Sequence, residues 1–422
     1  MNARATRGFG RFDYVKIAAL GFALTALWSS LHSIVLPLRL LEFVDESRKN
    51  TYLGLLTFAG LILAMVVQPV AGAISDRSGF TWGHRRPYIL VGAVLALVFL
   101  PGIGLAGSYA AIFAVFCVLQ ICTNIAQAPY QAFIPDLVPQ DKRGLASGVK
   151  GMLEVLGGVA VARLAAYFMG RYFGGKEAVW LWMALGTLAV ILLVATLVTV
   201  LGVREPPGTR TARWSVATLR RSYRLDTRAH RGFGWFLASR ALLGMPGVIL
   251  QVFAVYYLMD VVGIANPTAV AGDLLVIVGV CLLATVYPAG WLSDRIGRKP
   301  IIVFSGLLGA GSIVLLSLSR SYVPIVISGA ILGVANGAML SSTWAMATDM
   351  AVAGEEAKYL GLTNLAMAWG SALARLVGPL IDLFNRVSAG LGYTVMLGVC
   401  FAGFAVGAIF ILKVRQHHRV GP

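Results

Sequence analysis

The chain has 422 residues, 58% of them hydrophobic and only 13% charged, and a formal net charge of +17. A composition this apolar excludes a water-soluble globular protein of that length and places the chain in a bilayer. The charge does not mark a nucleic-acid partner, because most Lys and Arg residues fall in the tails and in alternate connections between apolar runs, as membrane topology determinants do.

A membrane span needs roughly 20 apolar residues. In chain order, about twelve such spans are predicted, at 14–40, 52–75, 86–107, 110–135, 145–172 and 179–201, then at 233–259, 272–293, 300–318, 323–348, 359–384 and 391–413. Arg4, Arg7 and Arg11 precede an apolar run too long for a signal-peptide core and without a small-residue cleavage site, so this run reads as an uncleaved first helix. The Lys and Arg bias puts both termini on the cytoplasmic side of a cell membrane. Between the sixth and seventh spans, 202–232 carries eight arginines and the Pro206-Pro207 pair. It reads as a basic cytoplasmic linker between an N-terminal bundle, 1–201, and a C-terminal bundle, 233–422. Its arginines either fix topology or attract anionic headgroups. Cys117, Cys122, Cys281 and Cys400 all lie inside apolar runs without metal-ligand spacing, so neither a disulfide framework nor a metal site is expected.

The halves repeat one another. Gly72-Ala-Ile-Ser-Asp76-Arg77, closing with Gly83-His-Arg-Arg-Pro87, returns as Gly290-Trp-Leu-Ser-Asp294-Arg295, closing with Gly297-Arg-Lys-Pro300. Ala160-Val-Ala-Arg163-Leu164 returns as Ala372-Leu-Ala-Arg375-Leu376, and Asp136 ends the fourth span as Asp349 ends the tenth. Duplication implies an all-α membrane protein of two pseudo-symmetric six-helix bundles, with any central site at the interface of the halves. The repeated loop and the layout resemble the major facilitator superfamily across the whole chain. The longer first loop, from Asp76 to Tyr88, is similar to that of the sugar and glycoside symporters, both the melibiose and the sucrose/proton types. This resemblance implies a secondary transporter that works by alternating access as a monomer without a cofactor. Its partners would be the bilayer, a small-molecule solute and a coupling ion such as the proton.

In the fourth span, Gln120, Asn124, Gln127 and Gln131 stand at offsets that place them on one helix face. Amides facing lipid are costly, so this stripe faces other helices or a hydrated solute path. The stretch Asn124-Ile-Ala-Gln127-Ala-Pro129-Tyr-Gln-Ala132…Asp136 resembles the Asn-x-x-Gln-Gly-Pro-x-Arg-Ala…Asp segment of the sucrose/proton symporters. There the helix carries an Asp and an Arg that align here with Gln120 and Gln131. An amide can bond a hydroxyl but takes up no proton near neutrality, so the sugar contacts are retained and the coupling groups are not.

Arg163 and Arg375 sit well inside apolar spans, where an unpaired Arg costs about 2.5 to 3.5 kcal/mol. They either face inward, to hold an anion or sugar hydroxyls, or extend toward the headgroups. Asp382 lies seven residues after Arg375 and is the preferred proton-coupling candidate; His32, within the first span, is the second. Glu154 is within reach of Lys150 and reads as one half of an ion pair. Gln251 in the seventh span, with Asn336 and Trp344 in the tenth, complete the candidate solute-binding set. Arg240, near the start of the seventh span, reads as part of an inner charge network.

By the same resemblance, Asp76 and Asp294 close the cytoplasmic side by engaging a helix N-terminus or arginines of the partner half, together with Asp136 and Asp349 at their helix ends. Arg77, Arg86, Arg143, Arg295 and Arg298 are expected to supply the counter-charge. No phosphate-binding loop, zinc-type cluster or catalytic triad is present in the sequence, which disfavours an enzyme or an ATP-driven pump. Three readings remain: a sugar or glycoside symporter, an exporter or uniporter of another organic solute or anion, and a non-transporting assembly factor or sensor of the same fold.

Overall fold

The structure, a computed structural model, describes residues 10–175, 177–205, 231–351 and 355–414. Most of the basic linker, along with Arg4 and Arg7, lies outside the described residues. Twelve helices are long and apolar enough to cross a membrane. They are α1 (Phe12–Leu40), α2 (Glu46–Ser75), α3 (Arg86–Leu105), α4 (Tyr109–Leu137), α5 (Gln140–Gly175), α6 (Ala178–Gly202), α7 (Gly232–Val262), α8 (Pro267–Ile296), α9 (Arg298–Leu318), α10 (Tyr322–Asp349), α11 (Lys358–Asn385) and α12 (Leu391–Leu412). Without water to satisfy backbone groups, apolar runs of this length close their hydrogen bonds within the helix.

Local signals set the helix ends. The Ser108 side chain accepts from the Ala111 amide and caps α4, and Asn266 does the same for Ala269 ahead of Pro267 in α8, as preferred capping residues do. The repeated loop owes its glycines to backbone geometry. Gly83 and Gly297 take φ of 124° and 97°, a region that side chains rarely enter. Two helices contain a π turn at matching places, Leu31–Val35 in α1 and Leu258–Val262 in α7. In α11, Arg375 closes one helical stretch and Val377 opens the next, so the helix is interrupted at Leu376.

The chain forms two compact units. Unit 1 is Met1–Leu38 with Ala59–Arg213, and unit 2 is Arg39–Phe58 with Trp214–Pro422. The end of α1, the following connection and the start of α2 therefore pack in unit 2. Within unit 1, α1 lies along α5 and α6, and α3 along α4 and α6; within unit 2, α7 lies along α11 and α12, and α9 along α10 and α12. These matching neighbours are what the repeated sequence predicts. Close approach at equivalent crossings needs glycine: Gly157 of α5 leaves no room for a Cβ against the Phe22 carbonyl of α1, nor Gly370 of α11 against the Ala241 carbonyl of α7. Small residues let membrane helices pack this closely.

Candidate functional site

The amide stripe of α4 divides along its length. Gln120 and Asn124 are buried, and the Asn124 Nδ2 donates to the Gln120 carbonyl at 2.7 Å and to its Oε1 at 3.1 Å. Gln120 also lies against Gly60 of α2. Gln127 is half-buried and Gln131 exposed. The stripe is therefore one face, as its spacing predicts, with its buried end already satisfied within the helix.

His32 lies in the π turn of α1, stacked on Trp28 with ring centroids 5.2 Å apart and edge-on to Phe116 at 5.8 Å. Glu154 and Lys150 pair at 3.7 Å, as expected from their spacing. The two arginines matched by the repeat differ in surroundings: Arg163 is half-buried, whereas Arg375 is buried. Arg375 Nη1 donates to the Ser371 carbonyl at 2.7 Å, where α11 is interrupted, and its Nε has no hydrogen-bond partner.

At the ends of α2 and α8, each unit builds one arginine bridging two aspartates. In unit 1, Arg85 reaches Asp76 at 3.0 Å and Asp136 at 2.6 Å. In unit 2, Arg298 bonds Asp294 and reaches Asp349 at 3.2 Å. Arg298 is where the sequence places the counter-charge; Arg85 is not among the arginines it singled out. Aligning Gly83-His-Arg-Arg-Pro87 with Gly297-Arg-Lys-Pro300 at the proline would have matched Arg85 to Arg298. Arg86 instead donates to the Trp82 carbonyl and lies over its ring. Arg143 donates to the Val138 and Pro135 carbonyls, Arg77 donates to that of Ala73, and Arg295 covers Trp291. Unit 1 adds Glu205, whose buried carboxylate accepts the Arg85 and Arg86 amides and pairs with His84 at 2.9 Å.

A second polar cluster lies in unit 2, where the starts of α2 and α12 meet the ends of α7 and α11. Lys49 pairs with Asp260 at 2.7 Å, and the Tyr393 hydroxyl donates to the same carboxylate at 2.6 Å. Asp382 accepts the Asn50 Nδ2 at 2.8 Å and the Thr51 amide at 2.6 Å. Asn50 Nδ2 also reaches the Tyr393 hydroxyl at 3.3 Å, so one continuous network joins both carboxylates. Asp382 thus accepts a backbone amide in the first turn of the α-helical stretch that begins at Lys49. Its side-chain hydrogen bonds are with α2, and it does not bond Arg375, which lies before the interruption at Leu376. Lys49, Asn50, Asp260 and Tyr393 were not foreseen, because polar residues at the edge of a span resemble its boundary.

Arg240 departs from its expected place. It is buried, its guanidinium lies over Trp344 of α10 at 4.6 Å, and Nη2 meets the Met367 sulfur of α11 at 3.0 Å. Among the described residues no charged network receives it, because the stretches of α7, α10 and α11 around it carry no other charge. Gln251 and Asn336 are half-buried, and Gly247 faces the Asn336 amide.

The family described as MFS/sugar transport protein matches residues 47–377. Among curated relatives, Sucrose transport protein SUC4 of Arabidopsis thaliana is 25% identical over 179 residues, covering 38% of this chain and 33% of that protein. The chain thus aligns with about a third of that relative's length. Among solved structures, the nucleoside transporter NupG aligns with a TM-score of 0.75 at 14% identity, over 96% of this chain and 99% of that one. A D-xylose-proton symporter aligns with a TM-score of 0.73 at 18% identity, over 96% and 98%. At such identities these structures establish the fold, the twelve-helix major facilitator architecture.

Proposed function

The chain belongs to the MFS/sugar transport protein family, a family of transporters rather than enzymes, and from that premise we propose that it carries a sugar or glycoside across a cell membrane by alternating access, coupled to protons. The reading takes both termini as cytoplasmic and the bundles 1–201 and 233–422 as the moving parts, joined by the linker 202–232. The observation that carries it is the network of Lys49, Asn50, Asp260, Asp382 and Tyr393. It holds the start of α2 within unit 2 by hydrogen bonds and one ion pair, contacts that can be exchanged for water, whereas a packed apolar seam resists opening.

Asp382 is the coupling group in this reading. Ionised, it accepts two donors from α2; protonated, it loses acceptor capacity and releases them, so proton uptake favours the open arrangement. His32, enclosed by aromatic rings, is the second candidate. Gln127 and Gln131 of α4, with Gln251, Asn336 and Trp344 of unit 2, offer the amides and ring surface that sugar hydroxyls and faces use. The amide-only stripe of α4 favours a second reading, uniport or export of another organic solute, because it lacks the charged pair of the sucrose/proton symporters.

The test is proton movement in proteoliposomes of the purified protein while sugars, glycosides and organic anions are added in turn. External alkalinisation with one solute is the expected result, and Asp382→Asn should abolish it while leaving solute counterflow intact. Counterflow without proton movement would replace symport with uniport. Absence of both would leave the export and non-transport readings.

A further inference from the structure

Unit 1 holds an ion pair that neither the arginine bridges nor the network at the start of α2 uses. Lys150 and Glu154 lie one turn apart on α5, their charged atoms separated by 3.7 Å. That is longer than the roughly 2.7 to 2.9 Å of a charge-assisted hydrogen bond. Over 17–31, 109–135, 144–162 and 178–202, the parts of α1, α4, α5 and α6 around them, they are the only charged residues. On α1, the Asp13–Lys16 pair lies more than one turn before Gly21 and His32 about three turns after it. The cysteines of α4 lie two turns or more before Tyr130. An ionisable residue inside a membrane helix is costly and normally has a use.

Gly21 of α1 opens a notch into which both neighbouring helices reach. A Cβ there would collide with the Tyr130 hydroxyl of α4 and with the Glu154 Oε1 of α5. The Tyr130 hydroxyl is buried and, among the described residues, completes no hydrogen bond. Lys150 Nζ lies over the Tyr130 ring at 5.0 Å. The Glu154 side chain is 31% exposed, so solvent reaches its carboxylate. The duplicated crossing in unit 2 is built from other groups. Matching Gly157 with Gly370 and Phe22 with Ala241, the residues that meet at each crossing, puts Thr363 where α5 has Lys150 and Met367 where it has Glu154. The same match puts Arg240 where α1 has Gly21. The crossing therefore forms without a carboxylate, and Glu154 is not what builds it.

We propose that Glu154 is a proton-binding site of unit 1, with Tyr130 as its partner, and that its occupancy sets the rate of solute exchange. Ionised, Glu154 has Lys150 as its counter-ion and the Tyr130 hydroxyl as a donor within reach of a small side-chain turn. Taking a proton from solvent, it becomes an acid whose O–H donates to the Tyr130 oxygen, and on release the proton returns to solvent. A phenol serves both states because its hydroxyl donates and accepts. Lys150 keeps its own proton throughout and remains over the ring, a contact that needs no carboxylate. Only the ion pair is lost, which loosens the meeting of α4 and α5 beside α1 without emptying the notch. Asp382 differs, since one of its donors is a backbone amide, which cannot accept a proton from the acid. The role in exchange rests on the sugar-transport reading; the proton site does not.

The test uses the full chain in lipid vesicles, with sucrose and methyl β-D-glucoside as probe solutes. Infrared difference spectra are taken from about pH 4 to about pH 9, which spans ordinary and displaced carboxyl titrations. They should show a protonated-carboxyl C=O band that appears on acidification, is missing from Glu154→Gln and moves in Tyr130→Phe. Counterflow is measured with equal pH on both faces of the membrane, in an Asp382→Asn background that removes the coupling group. There the rate should change about threefold across the range, as loss of one ion pair allows, and adding Glu154→Gln should hold it at the acid value throughout. If Glu154→Gln removes no band, the proton site is overturned, whichever sugar is carried. If it removes the band but leaves the pH response of exchange intact, the role in transport is overturned. A band with neither sugar exchanged would support the proton site while removing the sugar reading and the role in exchange together.

Discussion

Two copies of one arrangement, an arginine between two aspartates, occur in equivalent places of the two units and differ in how deeply they are set. The Arg85 side chain is 8% exposed, and its partners Asp76 and Asp136 are 55% and 34% exposed. The Arg298 side chain is 20% exposed, and Asp294 and Asp349 are 65% and 58% exposed. Duplication preserved the chemistry while the surroundings changed its worth, since an ion pair gains with burial and is screened at the surface. Glu205 accentuates the difference. Its carboxylate ties the end of α6 to the first amides of α3, and the Arg298 bridge has no such support among the described residues.

The comparison predicts unequal costs for equivalent substitutions. Arg85→Ala leaves Asp76 and Asp136 facing each other without their cation, close to the Glu205 carboxylate. Breaking a buried pair by removing one partner typically costs 3 to 5 kcal/mol, and partial exposure of the aspartates puts the expected loss at the low end, about 3 kcal/mol. Unfolding by SDS titration in mixed micelles measures it. A loss below about 1 kcal/mol would mean that water enters the Arg85 bridge as freely as the Arg298 bridge, erasing the distinction.

Glu205→Gln sharpens the same contrast. An amide oxygen still accepts a backbone N–H, but the charge at the α3 N-terminus and the pairing with His84 are lost. Hydrogen bonds to a charged acceptor and a favourable dipole contact suggest a loss of about 1 to 2 kcal/mol. The change should be smaller still in an Arg85→Ala background if Glu205 works with that arginine. Additive losses would make Glu205 a helix cap independent of the bridge.

Where these groups sit explains what the sequence disclosed. The twelve spans were legible because each buries apolar side chains in a medium that forbids open backbone, and Asp76, Asp294 and Arg298 stood out because they sit in a repeated local motif, although each aspartate pairs with an arginine of its own half rather than of the partner half. Contacts that join distant segments left weaker marks. Asp382 takes its donor from Asn50, 332 positions away, and Lys49 and Asn50 are polar enough that the predicted span began at 52 although α2 begins at Glu46. The spacing of Gln120, Asn124, Gln127 and Gln131 correctly gave one face, but not that Asn124 spends its donors inside the helix. Arg240 read as an inner charge because it lies near the start of its span. Only the packing of α10 and α11 places Trp344 and Met367 against it.

The smallest effect is expected at Arg298, and it is the most informative control. Arg298→Ala removes contacts to two aspartates that are both more than half exposed, so the loss should stay below about 1 kcal/mol and shrink further in high salt. Transport is a separate readout. If the Arg298 bridge exists to be made and broken during the cycle, its small ground-state energy is an advantage, and Arg298→Ala should change the rate of solute exchange more than it changes stability. A wild-type exchange rate in that variant would leave the bridge of unit 2 as a trace of duplication.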